Sequence, residues 1–290
     1  HDTPNAEGKA NTLDIYSALE IGNVWVSRKP EYLRIPTKSG NLQVITLPWL
    51  HKNDYKTIAE RLRLLLEKVK LLDPTILVSH CEVEGASFGS EKGLAIGTDV
   101  TIPLPLLQDK RLNYVALGHI HKHQVLGKDP LIVYSGSPQR IDFGEEKEEK
   151  GICLVELATD RKRGASFQFV PTNARKFLTI TIDLKGGDEN PTQTIMDEIK
   201  KHDVKDKIVR LIINIPAACD QEIQMDKIKK ALIEAHFVAG ISRNVERKER
   251  QIIEGGEVEK LTPLEALQKY FETKKYSPEK IKELSRFASQ

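Results

Sequence analysis

Tyr114-Val115-Ala116-Leu117-Gly118-His119-Ile120-His121 is the stretch on which the reading of this chain turns. Four apolar residues in a row predict a short strand buried on both faces. The glycine removes a side chain where the backbone leaves the sheet and must come close to a ligand. On an extended backbone, residues two apart point to the same side, roughly 6.5–7 Å from one another. Two imidazoles placed in that way can each hold one of two metal ions about 3.5–4 Å apart. His-x-His alone is also the pattern of an ordinary core or surface pair.

Working outward, Tyr55–Leu72 is predicted as an amphipathic helix, because Ile58, Leu62, Leu65, Leu66 and Val69 recur at helical spacing. Asp73-Pro74 stops it, and Thr75-Ile76-Leu77-Val78-Ser79 follows as a continuous apolar strand ending on His80. A helix feeding directly into such a strand is the α/β layered pattern. Further strands are predicted at 32–35, 42–47, 132–135, 152–157 and 166–170, with a short helix at 11–19. After Pro171-Thr172-Asn173-Ala174 comes a compact unit: strand 177–183, helix 191–201, strand 208–215, helix 221–234 and strand 237–242. Two short helices, 263–273 and 278–288, close the chain. Thr262 is a plausible N-cap, with Pro263 at the first helical position and Glu265 at the third. Three segments are therefore expected: 1–170, 171–260 and a helical pair at 261–290.

At 290 residues, 39% hydrophobic and 30% charged, the chain is a charge-rich globular protein with length for one large domain or two smaller ones. No apolar run approaches the roughly 20 residues of a membrane-spanning helix. Cys81, Cys153 and Cys219 are widely spaced with no C-x-x-C, which suits reduced, structural thiols in a cytoplasm. A formal net charge of +2 gives no argument from composition for a nucleic-acid partner.

His80, His119 and His121 stand at strand ends, where open α/β sheets place their ligands, and His1-Asp2 opens the chain. Imidazoles suit manganese, iron or zinc better than magnesium. Together with Ser90-Glu91, Tyr134-Ser135-Gly136-Ser137-Pro138, Asp142-Phe143-Gly144-Glu145-Glu146 and Lys150-Gly151, these residues resemble the calcineurin-like metallophosphoesterases, and within them the SbcD-like nuclease subunits. The resemblance is dense over 75–157 and weaker beyond. It implies an α/β fold: a metallophosphoesterase β-sandwich flanked by helices, incomplete here, over 1–170, plus a small α/β capping domain over 171–260.

The resemblance further implies two divalent metal ions, Mn2+ first with Fe or Zn as alternatives. His80 and His119 would bind one and His121 the other. His1 would act as the acid near the scissile phosphate, with Asp2 as its orienting carboxylate. It implies DNA hydrolysis in double-strand-break repair beside an SMC-type ATPase of the SbcC kind, in the cytoplasm at the nucleoid. The family's Asp-x-His motif and bridging aspartate have no counterpart here, so an N-terminally truncated, nearly inactive piece is expected, with a weakened or absent homodimer. Arg140, Arg243, Arg247 and Lys248 are candidate DNA contacts. Leu264, Leu267, Phe271, Ile281 and Leu284 are candidate docking residues for the ATPase, or simply the packing face of a terminal helical pair. Ser137-Pro138-Gln139-Arg140 reads first as a plain turn holding the sheet edge, with a hydroxyl and a guanidinium near a phosphate as the alternative, and His123 is expected to be exposed or to line a groove. A phosphoesterase of small diesters or proteins, and a non-catalytic DNA- or partner-binding scaffold, are the competing functional readings.

Overall fold

The structure is a computed structural model that describes residues 12–49, 55–89, 100–158, 164–216, 223–246, 262, 264, 265, 267, 270, 271 and 276–287. The first part runs α1 (Asp14–Ala18), β1 (Glu31–Thr37), β2 (Gly40–Leu47), α2 (Tyr55–Glu67), β3 (Thr75–His80), β4 (Glu82–Val83), β5 (Thr101–Ile102), β6 (Tyr114–Gly118), β7 (Gln124–Lys128) and β8 (Leu131–Tyr134). There follow β9 (Gly151–Leu157), β10 (Ala165–Pro171), β11 (Phe177–Asp183), α3 (Pro191–Lys200), β12 (Ile208–Ile215), α4 (Met225–Ala231), β13 (Phe237–Val245) and α5 (Pro278–Phe287). The fold is mixed α/β, as the alternation of elements predicted. Among the described residues, no helix is long and apolar enough to cross a membrane.

The central sheet has the order β1-β2-β3-β6-β8-β7. Its four inner strands pair in parallel, and β1 and β7 close it with antiparallel edges. Parallel strands need covered faces, and their continuous apolar runs reflect that. Ile45, Leu47, Leu77, Val115, Leu117 and Ile132 form one cluster with Ile58, Leu62, Leu65 and Leu66 of α2, all below 9% exposed. Burying each of these α2 side chains contributes about 1.5–3 kcal/mol relative to leaving it in water.

The helix predicted to reach Leu72 ends at Glu67, and the cause is Gln43. Lys68 and Val69 tighten the last turn by bonding three residues back. The Lys70 amide then donates to Gln43 Oε1 at 2.7 Å. Gln43 Nε2 donates to the carbonyls of Lys70 and Asp73 and to Thr75 Oγ1, at 2.9, 3.0 and 2.9 Å. This buried amide satisfies the connection between α2 and β3 and sets where β3 begins. Leu71 and Leu72 are accordingly left exposed.

β9 and β10 pair as a separate two-stranded sheet. Cys153 Sγ of β9 lies 3.8 Å from His123 Nδ1, and the His123 ring stacks on Phe169 of β10. β11, β12 and β13 form a third sheet in that order. The chain divides into two compact units: His1–Ile180 with Asp203–Arg210 and Leu232–Gly240, and Thr181–His202 with Leu211–Ala231 and Ile241–Gln290. In the second unit Asn190 caps α3 by accepting from the Gln193 amide, with Pro191 at the first helical position. The helix predicted over 221–234 is shorter, Met225–Ala231, within the described residues. Past Leu232 the chain turns, and the Glu234 carbonyl and His236 amide bond to Asp206 and Lys207. Near the C-terminus the Thr262 hydroxyl and Glu265 exchange the bonds of a capping box, as predicted.

Candidate metal-binding site

β3 and β6 lie side by side in parallel, with His80 directly opposite Gly118. A Cβ at Gly118 would stand 2.9 Å from His80 Nδ1, so only glycine lets that imidazole lie across the neighbouring strand. The strand ends at Gly118, and His119 adopts φ +90°, the left-handed side that non-glycine residues rarely occupy. His119 and His121 therefore do not share one face of an extended strand, contrary to the sequence expectation. The strained turn instead throws the His119 ring against His80, with centroids 5.4 Å apart and planes at 70°. Such strain persists only where the surroundings over-determine it, and it gathers at functional sites. The end of β3 is anchored beneath the pair: the buried Tyr134 hydroxyl donates to the Cys81 carbonyl at 2.7 Å, and Ser79 Oγ donates to the Leu47 carbonyl at 2.8 Å.

His121 is held by a different device. Its Nδ1 lies 2.7 Å from Glu145 Oε1, and the Glu145 side chain is 0% exposed. Glu145 Oε2 accepts from the Lys150 ammonium at 2.9 Å and from the Ile141 amide at 3.0 Å. Lys150, also 0% exposed at its side chain, places its other two N–H bonds on Glu148 Oε2 (2.8 Å) and on the His121 carbonyl (3.1 Å). That carbonyl accepts again from the Ser137 amide at 3.0 Å. Burial works to raise the Glu145 carboxyl, but Lys150, the Ile141 amide and the His121 ring together hold it below the ordinary carboxylate range.

The remaining motif residues brace the same loop. Gly136 has φ +79°, and a Cβ there would meet the His121 carbonyl oxygen at 2.7 Å and the His123 nitrogen at 2.9 Å. Asp142 caps the one-turn helix Phe143–Glu145 by accepting from the Gly144 amide. Phe143 packs edge-on to Phe177 and beneath the Arg210 guanidinium. Glu146 accepts from the amide and hydroxyl of Thr179 at 3.1 and 2.6 Å.

Two sequence expectations are corrected by these contacts. Arg140, expected to reach DNA, donates instead to the backbone carbonyls of Ala174, Arg175 and Glu148, so its guanidinium clamps the chain's own turns. His123 is half-buried rather than exposed: it stacks on Phe169 at 4.3 Å, and its Nδ1 bonds the Tyr134 carbonyl. The Cys81 thiol, buried and pushed up to about 11 by that burial, is an inert core group.

His1, Asp2, Ser90, Glu91, Arg247, Lys248 and Cys219 lie outside the described residues. Arg243 is an exposed residue of β13. Leu264, Leu267 and Phe271 sit at helical positions, and Ile281 and Leu284 are half-buried on α5. Glu145 and Lys150 are the positions that residue-level reading missed. The only signal was their place in the motifs that carried the family resemblance.

The donors fit a divalent ion of borderline softness in kind: imidazoles at strand ends, one of them backed by a carboxylate. They fall short in number, since no group of three His, Cys, Asp or Glu able to hold a metal occurs among the described residues. No family model matches the chain. Over 188 residues it is 27% identical to the SbcD subunit of nuclease SbcCD from Staphylococcus saprophyticus subsp. saprophyticus, a stretch covering 58% of this chain and 48% of that protein. The chain thus spans about half the length of the curated relative it matches, and its similarity is to a nuclease subunit.

Proposed function

We propose that this chain is the SbcD-like portion of a metal-dependent DNA nuclease. The parent protein would hydrolyse phosphodiester bonds from 3′ to 5′ at duplex ends and cut single strands, in double-strand-break repair beside an SMC-type ATPase. The observation that carries the reading is the paired arrangement of His80 with His119, and of His121 with a buried carboxylate, where β3 and β6 end. Similarity to the SbcD subunit of nuclease SbcCD supports the substrate class.

In this reading His80 and His119 hold one divalent ion and His121 the other, Mn2+ by preference. When bound, the ions supply a water nucleophile at neutral pH and neutralise charge on the phosphate. His1 places an acid near the leaving oxygen and Asp2 orients it. Residues 171–260 take the part of the small α/β capping domain that the resemblance implies. Arg243, Arg247 and Lys248 neutralise phosphates along the DNA backbone. Leu264, Leu267, Phe271, Ile281 and Leu284 face the ATPase.

One observation favours a second reading, a non-catalytic DNA- or partner-binding piece: the described residues offer no three-ligand metal group. The separating experiment incubates 3′-labelled linear duplex with Mn2+ and either the 290-residue chain or a version extended to the full length of the staphylococcal relative. The nuclease reading expects metal-dependent release of label by the longer protein and little by the chain alone. Retention of intact duplex by both, without cutting, favours the scaffold.

A further inference from the structure

We propose that Glu145 and Lys150 are the positioning pair of the metal site: Glu145 fixes His121 as the Nδ1–H tautomer, and Lys150 fixes the loop that carries it. The proposal rests on the metal reading above and adds to it the residues that orient one ligand. Glu145 is held as a carboxylate, because its Oε2 accepts from both the Lys150 ammonium and the Ile141 amide while Oε1 faces His121 Nδ1. An ionised carboxylate only accepts hydrogen bonds, so the proton between the two groups belongs to Nδ1 and the ring's lone pair to Nε2. A carboxylate behind an imidazole in this manner orients the ring and raises its basicity as a ligand.

Lys150 serves both ends of the arrangement. One N–H holds the carboxylate, and another holds the backbone carbonyl of His121 itself, so ring and main chain are fixed from one buried atom. The Glu145 and Lys150 side chains are both fully buried, so the contacts that hold His121 are shielded from water.

The test uses the 290-residue chain with 15N-labelled histidine. Long-range 1H–15N spectra at pH 8 report the protonation of each ring nitrogen without metal, and the residual Mn2+ spin-resonance signal reports ion binding. Expected are a neutral His121 with its proton on Nδ1, loss of that single tautomer in Glu145→Gln, and a 10–100-fold weaker Mn2+ affinity in that variant. Glu148→Gln, which touches Lys150 but not the ring, should keep the tautomer. A wild-type His121 protonated on Nε2 or on both nitrogens overturns the proposal, and needs no variant to fold. So does Glu145→Gln with tautomer and affinity unchanged. A version extended to the full length of the staphylococcal relative that binds no Mn2+ overturns the metal reading beneath it, and the tautomer result then judges the positioning role by itself.

Discussion

His121 and the His80–His119 pair stand at the same end of the central sheet and are held by opposite means. His121 is fixed by a buried polar network in which Glu145, Lys150, Ser137 and Glu148 answer one another's hydrogen bonds. His80 and His119 are fixed by strand register and by one residue bent into an unfavourable conformation. The first half is held by charges that must be matched and costs the fold dearly if one is lost. The second half is held in spite of the fold, and removing a side chain there relieves it. The same site thus couples differently to stability on its two sides.

The sharpest way to break that contrast is Lys150→Met. It removes the ammonium that both the Glu145 and Glu148 carboxylates bond, and breaking a buried ion pair costs about 3–5 kcal/mol. Urea unfolding should show a loss of that size, against a change of about 0.5 kcal/mol or less for the exposed pair mutant Arg63→Ala. Next is Gly136→Ala, which combines positive φ with a Cβ 2.7 Å from the His121 carbonyl oxygen. A destabilisation of about 1–3 kcal/mol is expected, with Mn2+ affinity falling because the His121 loop is displaced. Tyr134→Phe tests the other side: it leaves the Cys81 carbonyl unsatisfied under His80, for about 1–3 kcal/mol in the same assay.

The pH dependence sharpens the comparison further. Against its burial, Glu145 is held below the ordinary carboxylate range by Lys150, the Ile141 amide and His121. A carboxyl depressed in the folded state contributes stability that is fully present above its unfolded pKa and lost as pH falls through the folded one. Wild-type protein should therefore lose more stability than Glu145→Gln as pH falls through and below the ordinary carboxylate range. The smallest effect carries the opposite sign. His119→Gly removes the strain at φ +90° and should leave stability unchanged or raise it by up to about 1 kcal/mol, while weakening metal binding. A clear loss of stability in that variant would erase the distinction between the two halves.

How far the chain could be read from sequence follows the same division. Apolar periodicity located α2 and the strands ending on His80 and Gly118, because burial on a helix or a parallel strand leaves a simple pattern. Polar residues that fold inward leave none. Gln43 has the look of an outward strand position, yet it is fully buried and ends α2 five residues early. Glu145-Glu146-Lys147-Glu148-Glu149-Lys150 has the composition of a solvated charged face, yet its first and last residues have fully buried side chains. β7 was also missed: it is a five-residue edge strand whose Gly127 sits where the pairing register shifts, packed against Ile132. Three metal-candidate histidines were nameable from their place at strand ends. The turn at His119 was not, since nothing in a single residue announces positive φ.

The most direct measurement follows every histidine ring at once as Mn2+ is added to the 15N-histidine-labelled chain. Paramagnetic broadening should strike His80, His119 and His121 at the lowest Mn2+ additions, before the other rings. Broadening that spares those three, or reaches all rings equally, contradicts a metal site at the ends of β3 and β6.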